Sequence, residues 1–278
     1  MKLRLATLLL ALAGPPANAA DPSVPKPVPT DAECKPLPAL TGAKSAILPG
    51  ETLRFELDAM GAKAGSMTMR VLPVKDGLLP LQVDAEASSF VRSLTRIKGT
   101  ATSFVDPRTL RPRRYTERGE ENQIRRHYDV AFSPKQASVA WRFNQREGKS
   151  TLRFPREAFD VAGVAYLARR LPMEEGQTIC LDLYGMRRIW RLHGTIAKEK
   201  VTLPLGVFDA WRFSGEAVRL DSPRRRREIH LWFSDDDKRL PLAALGTTDL
   251  GAMRATLVGY ERPGESATRI DDPKSLKW

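Results

Sequence analysis

Hydrophobic and polar residues alternate along much of the chain. Leu53, Phe55 and Leu57 are each separated by a polar residue, and the same period of two recurs in later segments. The later segments are residues 67–71, 83–87, 139–143 and 229–233. Strict alternation buries one face of a strand and leaves the other in water, which is typical of antiparallel sheets rather than of a parallel α/β core.

Turn-forming residues separate the alternating segments. Gly61 and Asp106-Pro107 are predicted to end strands, and three polar segments are predicted to be hairpin turns. These turns are Arg118–Asn122, Asn144–Gly148 and Ser234–Lys238. Many short strands with regular turns predict an all-β, mainly antiparallel fold, with a curved sheet forming a barrel or half-barrel; a sandwich is the alternative.

One segment departs from the period of two. Asp160 is placed to cap a short helix running from Val161 to Arg169-Arg170, and Pro172 is placed to stop it. The arginines at its C-terminal end suit the helix dipole. Because the helix is apolar almost all round, we expect it to pack inside the curved sheet or across its mouth.

The N-terminal residues 1–19 are predicted to be a cleavable signal peptide. Lys2 and Arg4 precede the apolar residues 5–13, and Ala17-Asn18-Ala19 supplies a cleavage site. A membrane anchor is the alternative, but the apolar stretch is too short to cross a bilayer. We therefore expect export to the periplasm, with no transmembrane segment after cleavage.

The remaining chain is predicted to contain a single domain. Residues 20–47 form a proline-rich tail, with six prolines in positions 21–38 that disfavour both helix and ladder. Residues 48–262 form one β-barrel-like domain, long enough to bury a core, and residues 263–278 form a C-terminal tail.

The chain contains two cysteines, Cys34 and Cys180. An exported chain meets an oxidising compartment, which favours a disulfide between them. If Ile179, Leu181 and Leu183 face the core, Cys180 faces outward, where the proline-rich tail can reach it.

Several short segments resemble a known family, and they occur in its order and spacing. They are Leu48–Phe55, Gly65–Met67, Asp160–Arg169, Lys198–Val201 with Pro204–Phe208, Leu231–Asp236 with Arg239–Leu242, and Gly251–Tyr260. In these segments the chain resembles the exported bacterial proteins called domain of unknown function 3108. The resemblance implies an exported β-rich domain and brings neither an activity nor catalytic residues.

The charge is strongly basic. The formal net charge is +12, and removing Lys2 and Arg4 with the signal peptide leaves +10. Much of the excess is arginine in two groups, residues 108–126 and 224–227, and arginine grips phosphate or carboxylate through a planar fork. The candidate anion-binding residues are Arg113, Arg114, Arg125, Arg126, Arg224, Arg225, Arg226 and Arg227. In the alternative interpretation they are the wet faces of edge strands that deter aggregation.

The sequence favours a protein without a metal, a cofactor or enzymatic activity. The histidines at positions 127, 193 and 230 lack metal-ligand spacing, and no serine-nucleophile motif is present. His230 is predicted to share a wet strand face with Glu228 and Trp232, and Asp235-Asp236-Asp237 is predicted to be a hairpin turn rather than a calcium loop.

Large apolar residues supply the predicted interior, either as a filled core or as the lining of a cavity for acyl chains. They are Met67, Met69, Tyr128, Phe132, Trp141, Phe143, Trp190, Trp211 and Phe213. The predicted function is a non-enzymatic periplasmic binding or carrier module for an anionic amphiphile, such as an anionic lipid or lipopolysaccharide. The alternatives are an envelope interaction protein that docks on a partner protein through its arginines, and a hydrolase of envelope glycan or lipid. Nucleic acid fits the charge but not export.

Overall fold

The fold is described from a computed structural model. It describes residues 27–40, 47–59, 61–89, 91, 97–185, 187–248 and 251–269. The predicted signal peptide and the end of the predicted C-terminal tail lie outside the described residues, so their boundaries stay predictions.

Strands dominate the described chain, as the alternation predicts. The first eight are β1 (Thr52–Ala59), β2 (Ala62–Val71), β3 (Leu79–Ala87), β4 (Ile97–Val105), β5 (Pro112–Glu121), β6 (Ile124–Ser133), β7 (Gln136–Phe143) and β8 (Arg146–Arg153). The others are β9 (Ala158–Asp160), β10 (Thr178–Gly185), β11 (Arg188–Leu203), β12 (Gly206–Arg219), β13 (Arg226–Ser234), β14 (Pro241–Thr248), β15 (Gly251–Glu261) and β16 (Thr268–Arg269). A helix, α1, spans Val164–Arg169.

The strands form a single sheet. Its order is β8-β7-β6-β5-β4-β3-β2-β1-β15-β14-β13-β12-β11-β10-β9, with β16 added beside β15. Neighbours pair antiparallel except β9 and β10, which are parallel. The two ends of this order, β8 and β9, are not paired with each other in the described chain. The structure confirms an all-β, mainly antiparallel curved sheet with a short helix, in the open rather than the closed form.

The sheet is rolled so that the edge formed by β9 and β10 lies against the inner face of β5–β7, near the opposite edge. On β10, Leu181 and Leu183 join the main core with Phe55 and Phe213. Tyr184, on the opposite face of β10, packs with a second core formed by the inner side of β5–β7. Its ring lies edge-on to that of Tyr115, with centroids 5.6 Å apart. Strand β10 is therefore buried on both faces.

Helix α1 packs against the main core through Tyr166 and Leu167, as the apolar pattern predicts. It is shorter than predicted, since Asp160 lies in β9 and Gly163 is the residue that precedes the helix. The Asp160 carboxylate still accepts hydrogen bonds from the backbone N–H groups of Ala162 and Gly163, at 3.0 and 2.8 Å. It thus orders the turn that leads into the helix.

Arg169, at the end of α1, is fully buried rather than exposed to solvent. Its guanidinium group binds the carboxylate of Glu51, with Nη2 2.9 Å from Oε2. The Arg262 guanidinium group donates to the same carboxylate oxygen from the end of β15, also at 2.9 Å. This cluster joins the helix to both chain ends of the domain.

The proline-rich segment is not a detached tail. Residues 27–40 contain neither helix nor strand, as predicted, but they lie along the outward face of β10 and β11. Cys34 is joined to Cys180 by a disulfide, which confirms the predicted pairing. We call residues 27–40 the strap.

Two predicted turns are shorter than the sequence indicated. Strand β5 continues to Glu121 and the β5–β6 turn is Asn122-Gln123, while the β7–β8 hairpin turns at Asn144-Gln145. The two asparagines adopt φ values of 54° and 52°. Asparagine tolerates this left-handed conformation, so each polar segment needs only two residues to reverse the chain.

Candidate functional site

A pocket of about 470 Å³ lies where the strap crosses the rolled sheet. The strap supplies residues 36–40 to its wall, and the rest comes from the β4–β5 turn, the β8–β9 link, β9, α1 and β10. Phe159, Leu167 and Leu181 belong both to this lining and to the main core. We call it the seam pocket; its volume falls in the range typical of small-molecule sites.

Arginines from two segments line the seam pocket beside its apolar wall. Arg108 and Arg111 come from the β4–β5 turn, and Arg156 comes from the β8–β9 link. The Arg111 Nε lies 2.9 Å from the Glu157 carboxylate. In the described chain, the Arg108 guanidinium group has no carboxylate partner, which leaves the lining with a net positive charge.

Three attachments hold the strap over the pocket. The disulfide fixes Cys34, and the Arg156 guanidinium group donates to the carbonyls of Cys34 and Lys35. Further along, Arg191 donates to the Pro29 carbonyl at 2.6 Å and forms ion pairs with Asp31 and buried Asp182. The wall of the pocket thus depends on contacts between segments that are distant in sequence.

The candidate arginines lie at both ends of the strands. Strand directions place Arg113 and Arg114 near the end that holds the seam pocket, and the remaining six at the opposite end. Arg126 on β6 pairs with Gly119, which lies five residues along β5 from Arg114. At the rise of a strand, this places the two arginines about 17 Å apart along the strand direction. The eight candidate arginines therefore do not form one site.

Several of these arginines pair with carboxylates, as the interpretation of a neutralised wet face expects. Arg114 forms two hydrogen bonds with Asp129, and this contact raises its pKa above the usual value. Arg126 and Arg226 lie 3.0 and 2.8 Å from Glu121 and Glu216. Arg125 lies 3.9 Å from Glu120 and is largely exposed.

A second concavity, a groove of about 1200 Å³, lies at the opposite end of the strands from the seam pocket. It crosses β4 to β7 and includes the Asn122-Gln123 and Asn144-Gln145 turns. Two of the predicted residues, Arg125 and Arg126, line it. We call it the hairpin groove.

A Ser–His–Glu arrangement lies on the outer face of β12 and β13. His230 Nδ1 is 3.0 Å from Ser214 Oγ, and His230 Nε2 is 2.9 Å from Glu228. His230 also faces Trp232, which confirms the predicted shared face. However, β12 is hydrogen-bonded along both edges at Ser214, so its backbone N–H groups belong to the sheet rather than to an oxyanion hole.

A buried polar cluster is formed by side chains of β4, β5 and β9. The Ser103 hydroxyl donates to Asp160, and the Tyr115 hydroxyl donates to Glu117 at 2.8 Å. Burial raises the pKa of Asp160 to about 6 and also raises the pKa of Glu117. The cluster joins β4 to β9, and we assign it a structural role.

Most of the predicted interior residues fill core rather than line a cavity. Met69, Trp211 and Phe213 are buried in the main core, whereas Phe143 is 39% exposed and was placed inside wrongly.

In the turn predicted at residues 235–237, the Asp236 carboxylate accepts hydrogen bonds from the backbone N–H groups of Lys238 and Arg239. Among the described residues, no group of histidine, cysteine and acidic side chains is arranged to hold a metal ion.

The seam pocket could not be predicted from the sequence, because its wall joins distant segments. Arg156 carries no local signal, and residues 36–40 were interpreted only as tail. The outward-facing Cys180 was the one signal that placed the strap near β10.

Across the described chain, no helix has the length and apolar character needed to span a bilayer.

One solved structure supports the fold. A β-barrel-like protein of the domain of unknown function DUF1849 from Brucella abortus superposes with a TM-score of 0.50 at 10% identity, covering 77% of this chain and 98% of that one. The hypothetical protein CT021 from Chlamydia trachomatis gives a TM-score of 0.31 at 10% identity, covering 80% and 92%. No functionally curated protein matches the chain.

A family model matches residues 54–258, from within β1 to within β15. This match spans most of the sheet together with α1, and it confirms the resemblance seen in the short segments. The chain therefore belongs to the family described as protein of unknown function (DUF3108).

Proposed function

We propose that this protein is an exported, non-enzymatic binding module that holds a single-chain anionic amphiphile in the seam pocket. The observation that carries the proposal is the joining of an apolar wall to arginines in one pocket of about 470 Å³. Other apolar surface in the two cores is packed against protein.

The two parts of the pocket match the two parts of such a ligand. Leu37, Phe159 and Leu181 offer apolar surface to an alkyl chain, and each buried methylene group contributes about 0.8 kcal/mol. Arg108 and Arg111 offer guanidinium forks to a carboxylate or phosphate headgroup. A ligand with one chain and one anionic group satisfies both.

The proposed compartment is the periplasm. The Cys34–Cys180 disulfide supports it, since such bonds persist in oxidising compartments, and the predicted signal peptide provides the route. The hydrolase alternative has the Ser214–His230 contact in its favour but lacks a preorganised donor for an oxyanion, so we propose binding without chemistry.

Calorimetric titration with laurate and with dodecyl phosphate tests the proposal. We expect saturable binding of one molecule per chain and at least tenfold weaker binding by the Arg108→Ser/Arg111→Ser variant. The Arg118→Ser/Arg142→Ser variant removes the same charge at the hairpin groove and should bind like wild type. The proposal fails if wild type shows no saturable binding, or if the two variants lose affinity equally.

A further inference from the structure

The hairpin groove combines basic side chains with amide side chains. Its lining includes Lys98, Arg118, Arg125, Arg142 and Arg146. Within the described chain, Arg118 and Arg146 have no carboxylate at ion-pair distance. The groove therefore presents more positive than negative groups, at the opposite end of the strands from the seam pocket.

Arg142 is held only weakly by its partner. Arg142 pairs with Glu147 at 3.0 Å, but the side chains are 67% and 68% exposed. Exposed pairs of this kind contribute about 0–1 kcal/mol, so a ligand carboxylate or phosphate can replace Glu147 at little cost.

The charges form a row across the strands. Arg118, His127 and Arg142 are cross-strand neighbours on the outer faces of β5, β6 and β7. Adjacent strands are about 4.8 Å apart, so Arg118 and Arg142 lie about 10 Å from each other. A groove of about 1200 Å³ exceeds the usual range for small ligands, which favours a chain that lies along this row.

The amide side chains of the lining indicate which class of polymer the groove binds. Four turn residues supply amide side chains, which donate to and accept from hydroxyl groups. They are Asn122, Gln123, Asn144 and Gln145. Single-stranded nucleic acid would instead call for a series of aromatic stacking platforms.

We propose that the hairpin groove binds a segment of an anionic polysaccharide, with Arg118 and Arg142 contacting its carboxylates or phosphates and the turn amides contacting its hydroxyls. This site is separate from the seam pocket and does not require the proposed amphiphile.

Fluorescence titration with oligogalacturonate at fixed ionic strength tests the assignment. We expect the Arg118→Ser/Arg142→Ser variant to bind at least tenfold more weakly than wild type. The Arg108→Ser/Arg111→Ser and Arg224→Ser/Arg225→Ser variants lose the same charge elsewhere and should stay within about twofold. A Gln123→Ala/Gln145→Ala variant removes two amides without changing the charge or the left-handed turn residues, and it should weaken binding at least threefold, with folding checked by thermal melting.

Three results would overturn the assignment. One is no binding of oligogalacturonate by wild type; another is equal weakening in all three arginine variants, which would show general electrostatic attraction. The third is groove-dependent binding to vesicles of phosphatidylglycerol with none to the oligosaccharide, which would identify a membrane surface instead. Loss of laurate binding in the seam-pocket variant alone leaves this assignment intact.

Discussion

Cys34 is bonded to Cys180 across 146 residues of chain, and the bond fixes the strap against the outward face of β10. The strap is in turn one wall of the seam pocket. The disulfide therefore contributes to the shape of the proposed site as well as to stability.

We expect the Cys34→Ser/Cys180→Ser variant to be about 4 kcal/mol less stable than wild type, because closing so long a loop removes entropy from the unfolded chain. Urea denaturation measures this difference. In the variant, limited proteolysis should also cut the strap before the sheet. Cleavage of wild type and variant at the same rate within residues 27–40 would contradict the role given to the bond.

The Glu51→Gln variant should be destabilised by about 3 kcal/mol or more. It removes the carboxylate that neutralises buried Arg169 and Arg262, and an uncompensated buried charge is costly. Glu147→Gln removes an exposed partner of Arg142 and should change stability by less than about 1 kcal/mol. Thermal melting of the two variants gives the comparison, and equal shifts in Tm would show that the buried cluster contributes little.

Stability should fall as pH rises through the titration of Asp160. Burial raises its pKa to about 6 in the folded protein from 3.8, so the folded state binds more protons between those values. The contribution is full below about pH 4 and is lost above about pH 6, and it amounts to roughly 3 kcal/mol. Chemical denaturation across this range measures it.

The Asp160→Asn variant tests the same residue without changing its shape. The amide oxygen can still accept from Ala162 and Gly163, and the amide nitrogen can donate to Ser103. We expect the variant to be as stable as wild type or more so at pH 7, with a flatter pH profile. Parallel profiles for the two proteins would assign the pH dependence to other groups.

Ser214 should make no contribution to ester hydrolysis. We expect wild type and Ser214→Ala to hydrolyse p-nitrophenyl acetate at the same background rate, because β12 offers no unpaired backbone donor beside the hydroxyl. A faster rate in wild type that is lost in the variant would revive the hydrolase alternative.

Local pattern predicted the parts of the fold in which one strand face is wet. The alternation at Leu53 and Phe55 predicted β1, whose two residues are buried in the main core. The alternation of leucines in β10 predicted that Cys180 faces away from that core, toward the strap. The roll of the sheet was not predictable, since burial of both Leu183 and Tyr184 depends on contacts with distant strands.

Site residues were harder to predict than strands. Arginine-rich segments were recognised, but only pairing and strand direction show that Arg114 and Arg126 lie toward opposite ends. The burial of Arg169 was also unexpected, because a partner 118 residues away determines it rather than the helix dipole. Both cases depend on long-range contacts that no local window contains.

Hydrogen exchange during titration with laurate tests the seam pocket most directly. The account predicts slower exchange at the amides of Leu37, Ala39, Leu40, Arg108 and Thr109 as ligand is added, with no change across the hairpin groove. The account would be contradicted if exchange at those amides did not change with laurate, whether protection appeared at the turns of the hairpin groove or at no amide.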